Sequence, residues 1–92
     1  AQTAKDKARA TSLLKQGAAL LDKKEYAEAL EKFQGAFAIV PSPKIQFNIA
    51  LAYEGLARPA RAWDAFQKYL DGATSDAAER RADAKKHQDA LR

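Results

Sequence analysis

His87 is the one imidazole in this 92-residue chain, and imidazole is the side chain most often used for proton transfer or metal binding near neutral pH. Its neighbours in sequence are Lys85, Lys86 and Gln88, and no partner carboxylate or thiol is expected at ligand spacing. It therefore reads as a surface histidine. Glu25, Glu28 and Glu31 recur at helical spacing with Lys32, and an i to i+4 pair such as Glu28 with Lys32 belongs to a solvated helix face. Asp6, Asp22 and Asp64 stand apart from one another, so no paired carboxylates are set for acid–base work. Ser12 and Ser75 have no base near them in sequence, and the glycines at 17, 35, 55 and 72 are too scattered to form a phosphate loop. The chain has no cysteine, which rules out disulfides and thiolate metal sites. The expectation is a protein with no catalytic residues, no cofactor and no metal.

If the chain does no chemistry, its work must lie in its elements and surfaces. Ninety-two residues suffice for one small domain. Apolar residues make up 47% of it, yet about half of them are alanine, so a thin helix-on-helix core is expected. The β-branched residues are few, which leaves strands little support. The net charge of +4 is mild, and no run of Arg or Lys exceeds two. That pattern describes a solvated basic face on the first helix and not a nucleic-acid site. No stretch of some 18 apolar residues is present to span a membrane. The start, A-Q-T-A-K-D-K, lacks methionine. It reads as what remains after a signal peptide is cut, which places the chain in a bacterial envelope or periplasm, or as a boundary within a longer chain, with the cytoplasm as the other compartment.

Periodicity supplies five helices. In residues 25–41, Tyr26, Ala29, Leu30, Phe33, Phe37 and Val40 recur at steps of three and four and share one face. Ala29 and Ala36 flank Phe33 on that side, so a second helix can approach closely while the aromatics fill its grooves. Pro41 ends the helix. The partner is residues 4–21, with Leu13, Gly17, Leu20 and Leu21 inward and Lys5, Lys7, Arg9 and Lys15 outward. A third helix over 44–57 is capped by Ser42, with Pro43 in its first turn. A fourth over 59–70 buries Ala62, Trp63, Phe66 and Leu70, and Gly72 is expected to stop it in the left-handed region. The last helix is expected to start at Ser75 or Asp76, with Asp76 and Glu79 as a capping-box-like pair.

Sliding the chain along itself by 33 residues places Gly17 on Ala50, Leu20 on Tyr53, Ala29 on Ala62, Leu30 on Trp63, Phe33 on Phe66 and Phe37 on Leu70. Small stays with small and large with large in these six pairs, while a seventh, Leu21 on Glu54, does not keep its character. Two signature positions depart as well: Pro59 stands for Tyr26, and Tyr69 for Ala36, which suggests looser packing or an adapted surface there. The order Gly17, Leu20, Tyr26, Ala29, Phe33, Ala36, Pro41 resembles the signature of the tetratricopeptide (TPR) repeat. The resemblance implies an all-α fold, a superhelix of antiparallel helix pairs. Its units would be residues 10–42 and 43–75, followed by a polar capping helix over 76–92.

In that family the first helix of each repeat lines a concave groove that binds a peptide or helix of a partner protein. The resemblance assigns Leu14, Ala18 and Leu21 to this groove from the first helix, and Lys44, Phe47, Asn48 and Leu51 from the third. Arg80 and Arg81 come from the last. The groove reads as apolar in its middle, with Phe47 as the aromatic anchor. A second expectation is that the same surfaces make a homo-oligomer with no foreign ligand, since helical arrays usually need about three repeats for stability.

The signature requires a small residue at Ala29, where paired helices touch. Ala29→Leu should cost about 1–3 kcal/mol through overpacking, while Ala27→Leu, one residue away on the polar side, should stay within about 0.5 kcal/mol. Denaturant midpoints of the two variants check this, and equal midpoints would defeat the alignment.

Overall fold

A computed structural model of the chain describes residues 3–91, and among these five helices and no strand form. They are α1 (Ala4–Asp22), α2 (Tyr26–Ile39), α3 (Pro43–Gly55), α4 (Pro59–Gly72) and α5 (Ala78–Ala90). Residues 1, 2 and 92, and with them the first two residues of the start from which export was expected, lie outside the described residues.

Each start follows from local chemistry. Thr3 caps α1 in a capping box: its Oγ1 accepts from the Asp6 amide at 3.1 Å, and the Asp6 carboxylate accepts from the Thr3 amide at 3.4 Å. Ser42 caps α3 as expected, its hydroxyl accepting from the Ile45 amide at 3.3 Å, with Pro43 in the first turn. Pro59 opens α4 without disturbing it, because a first-turn amide has no intrahelical partner to lose.

α1 packs on α2 and α3 on α4, while α2 also meets α3 and α5 rests mainly on α4. Only residues 23–25 join α1 to α2, so short a link that the pair must run antiparallel. The same holds for residues 56–58 between α3 and α4. These two turns are alike bond for bond at an offset of 33. Lys24 and Ala57 both adopt left-handed φ, 62° and 57°. The Lys24 amide donates to the Leu21 carbonyl and that of Glu25 to Leu20; the Ala57 amide donates to Glu54 and that of Arg58 to Tyr53. Each is a Schellman closure built without glycine. Burial repeats at the same offset, with Ala29 and Ala62, and Phe33 and Phe66, all fully buried.

Four expectations are overturned. Gly72 is the last residue of α4 and no glycine has positive φ among the described residues; Ala73 serves as the C-cap, its amide bonded to the Tyr69 carbonyl. α5 starts at Ala78 with no side-chain cap, because the Asp76 carboxylate is taken by Tyr69 and Arg80. Trp63 is only half-buried, whereas Tyr69, expected to pack loosely, is 1% exposed.

The close contacts between helices run through glycine. A Cβ on Gly17 would lie 2.6 Å from the Phe33 ring, so that ring rests directly on the α1 backbone. Gly35, half-buried, would meet only Leu13 at 3.4 Å, and Gly72 would meet nothing within 4 Å. Gly17→Ala should therefore destabilise by about 1–3 kcal/mol through overpacking. Gly72→Ala should stabilise by up to about 1 kcal/mol, since a helical glycine there loses backbone entropy and gains no contact. Thermal denaturation of both variants gives the signs.

Candidate functional site

Beneath α5 the helices bring four rings together. Phe47 of α3 meets Phe66 and Tyr69 of α4 edge to face, with ring centroids 5.7 and 5.3 Å apart. His87 of α5 completes the cluster, stacked on Phe66 at 5.1 Å and edge-on to Phe47 at 6.5 Å. Such arrangements satisfy the ring quadrupoles and add to the burial that already holds these residues.

His87 is thus no free surface residue. Its Nδ1 donates to the Glu54 carboxylate at 2.9 Å, across a sequence gap of 33, and its Nε2 lies 3.7 Å from Asp83 Oδ2, one turn earlier on α5. Both ring nitrogens face carboxylates on opposite sides of the imidazole. The arrangement orients the ring between α3 and α5 and points neither nitrogen at a nucleophile. Among the described residues no three His, Cys, Asp or Glu side chains converge as a metal site would require. Nor is any described helix long and apolar enough to cross a membrane.

The groove residues assigned from sequence fall in several places. Leu21 and Leu51 are brought to one cleft, which they line with Tyr26, Glu54 and Gly55 where α1, α2 and α3 come together. Leu14 is half-buried and packed on the core, Ala18 and Lys44 are exposed, and Asn48 donates to the Lys44 carbonyl of its own helix at 3.0 Å. Phe47 is only 9% exposed, so it is a core residue and not the open anchor expected of it. It shows at the floor of a second cleft, walled by Glu79, Arg80, Ala82, Asp83 and Lys86 of α5. Arg80 lies there too, bonded to Asp76 at 3.0 Å. Arg81 is spent elsewhere: its guanidinium donates to the Leu70 and Ala73 carbonyls at 2.9 and 2.6 Å, closing the C-terminal end of α4. Sequence spacing missed the Glu54–His87 and Tyr69–Asp76 pairs, because nothing local marks a partner brought in by tertiary packing.

The Tyr69 hydroxyl donates to Asp76 at 2.6 Å. Burial, and then this bond, push the Tyr69 pKa up to about 12. The same bond, followed by that of Arg80, lowers the Asp76 carboxyl below its ordinary 3.8. The signs of the two pH effects are opposite. A raised tyrosine contributes stability that is complete below its ordinary value of 10 and lost as pH rises through about 12. A depressed aspartate contributes stability that is present above 3.8 and lost as pH falls through its folded value. Tyr69→Phe should cost about 1 kcal/mol at neutral pH and flatten the alkaline fall between pH 10 and 12. Asp76→Asn should flatten the acid limb instead. Denaturation midpoints across pH, with tyrosinate absorbance to follow ionisation, check both.

No family model, curated protein or solved structure matches the chain.

Proposed function

We propose that this chain is a protein-interaction module of the tetratricopeptide kind, with units over 10–42 and 43–75 and α5 as their cap, and that it binds a peptide or helix of a partner along the surface shared by α1 and α3. The repeat reading is supported by the two turns with matching left-handed residues and by burial that recurs at the same spacing. The binding reading rests on one observation: the cleft between α1 and α3 that Leu21 and Leu51 line together with Tyr26, Glu54 and Gly55. Ala18, Lys44 and Asn48 belong to the same two helices and carry exposed or half-exposed side chains that the core does not consume. A peptide laid there finds apolar contact between two helices and polar groups for its backbone.

Assembly into a homo-oligomer is the weaker reading. Among the described residues no large apolar side chain is fully exposed, so a self-associating face of ordinary kind has little to build on.

The test is peptide selection by display against the folded chain, followed by amide chemical-shift mapping of the selected peptides. Shifts should gather at Ala18, Leu21, Lys44, Asn48 and Leu51. Leu51→Ala should weaken binding about tenfold, or about 1.4 kcal/mol. Glu31→Ala, an exposed site on α2, should leave it unchanged. Selected peptides that map to the outer faces of α2 and α4 and ignore Leu51→Ala would overturn the assignment, as would a sedimentation profile showing a stable oligomer that excludes every peptide.

A further inference from the structure

The seat of α5 suits a different helix from the one it holds. On the α3 and α4 side it offers rings, with Phe66 flat beneath His87 and Phe47 edge-on to it. Two electron-rich features flank these rings. One is the Glu54 carboxylate, and the other is the carbonyl end of α4, where the Leu70 and Ala73 oxygens receive Arg81.

α5 meets this seat with more polar groups than apolar ones: Ala84 and Leu91 pack on the core, while Arg81, His87 and Gln88 make the other contacts. Of its residues only Ala84 and Gln88 are buried, and Ala84 contributes one methyl. Gln88 donates to the Trp63 carbonyl at 3.2 Å and to Gln67 at 3.1 Å, so an amide occupies a position over α4 that an apolar side chain could fill. Hydrogen bonds of this kind replace bonds to water and add little net free energy, whereas apolar burial against rings adds more. Along the edge of α5 the cleft floored by Phe47 already leaves the seat reachable. The residues between α4 and α5 form turns and bends, and the α5 start is tethered there by Tyr69, Asp76 and Arg80.

We infer that the seat of α5 is a docking site for a basic amphipathic helix of a partner protein, which displaces α5. Charge sets the partner's chemistry: cations where Arg81 and His87 stand, facing the α4 carbonyls and Glu54. Packing sets the rest: a small residue where Ala84 stands, and large apolar residues where Gln88 and the half-buried Leu91 stand. α5 is then an occupant in cis, holding the rings from water until a better-matched helix replaces it. The site differs from the cleft between α1 and α3 in that the ligand takes the place of α5, while Glu54 borders both.

The test uses two labelled peptides spanning residues 78–91, one of native sequence and one with Gln88→Leu, against the full chain. Arg81→Ala and His87→Ala each remove a bond that holds α5 and leave the seat itself intact. Faster amide exchange in α5, with α1–α4 still protected, identifies which variant has opened, and the second serves if the first fails to fold. The Gln88→Leu peptide should bind the opened chain at least tenfold more tightly than wild type, and more tightly than the native peptide does. Glu54→Gln in the opened chain should weaken that binding, and Leu51→Ala should not. Failure of both peptides to bind an opened chain overturns the proposal. So does equal binding to opened and wild-type chains, which places the peptide elsewhere. A concentration-dependent dimer formed by the opened chains in place of peptide binding assigns the seat to a second copy and overturns it equally.

Discussion

The structure depends on how closely a ring can approach a backbone. Phe33 lies against Gly17 at a distance that leaves no room for a single methyl, which brings α2 down onto the axis of α1. Tyr26, at the other end of α2, does the same to Gly55 at the end of α3. One helix is thereby pinned at two points, to the helix before it and to the helix after it. Ala29 and Ala36, both fully buried, keep the intervening surface low enough for these approaches to coexist. A core so rich in alanine can still be dense, because the few large side chains each fill a space cleared by small ones.

From this arrangement follows an uneven distribution of cohesion. α2 to α4 supply the buried apolar groups that run from Ala29 through Phe66 to Leu70, and α1 closes on them with Leu13, Leu14, Leu20 and Leu21. α5 is held by Arg81 on two carbonyls, Gln88 on α4, His87 on Glu54 and the Tyr69–Asp76–Arg80 chain of bonds. Such contacts fix a helix in register without giving it much net free energy, since each replaces a hydrogen bond that the unfolded chain makes with water. Local opening concentrates where apolar contacts are few, so the element that covers the aromatic cluster is also the one most easily lifted from it.

How much of this is legible in the sequence differs from residue to residue. Ser42 and Pro43 announce α3, and the small–large rhythm around Phe33 announces the α1–α2 pair, because caps and periodic faces are local features. The left-handed turns are not announced: Lys24 and Ala57 hold a conformation for which glycine is the usual sign, and Gly72, which carries that sign, is helical. Asp76 has the spacing of a capping residue, but a tyrosine seven positions back in α4 claims it. Phe47 shares a face with Asn48 and Leu51 on a helical wheel, a face that the resemblance to the tetratricopeptide repeat assigns to the groove. It is turned inward by Phe66 and Tyr69, rings that only the folded chain brings near it. In each miss a long-range contact outweighs a local preference.

The two hairpins also show where function can reside. At an offset of 33 the packing positions keep their character: Gly17 with Ala50, Ala29 with Ala62, Phe33 with Phe66, all six buried. The more exposed positions of α1 and α3 do not keep theirs: Lys15 corresponds to Asn48, Ala18 to Leu51 and Leu21 to Glu54. Packing a helix pair against its neighbour imposes the same demand on each unit, and the same residue classes meet it twice. Contact with a ligand imposes no such repetition, because its successive parts differ in chemistry. Divergence at these positions is what a ligand site on α1 and α3 would produce, and it falls where the proposed cleft of Leu21, Leu51 and Glu54 lies, next to the Glu54–His87 bond that reaches α5.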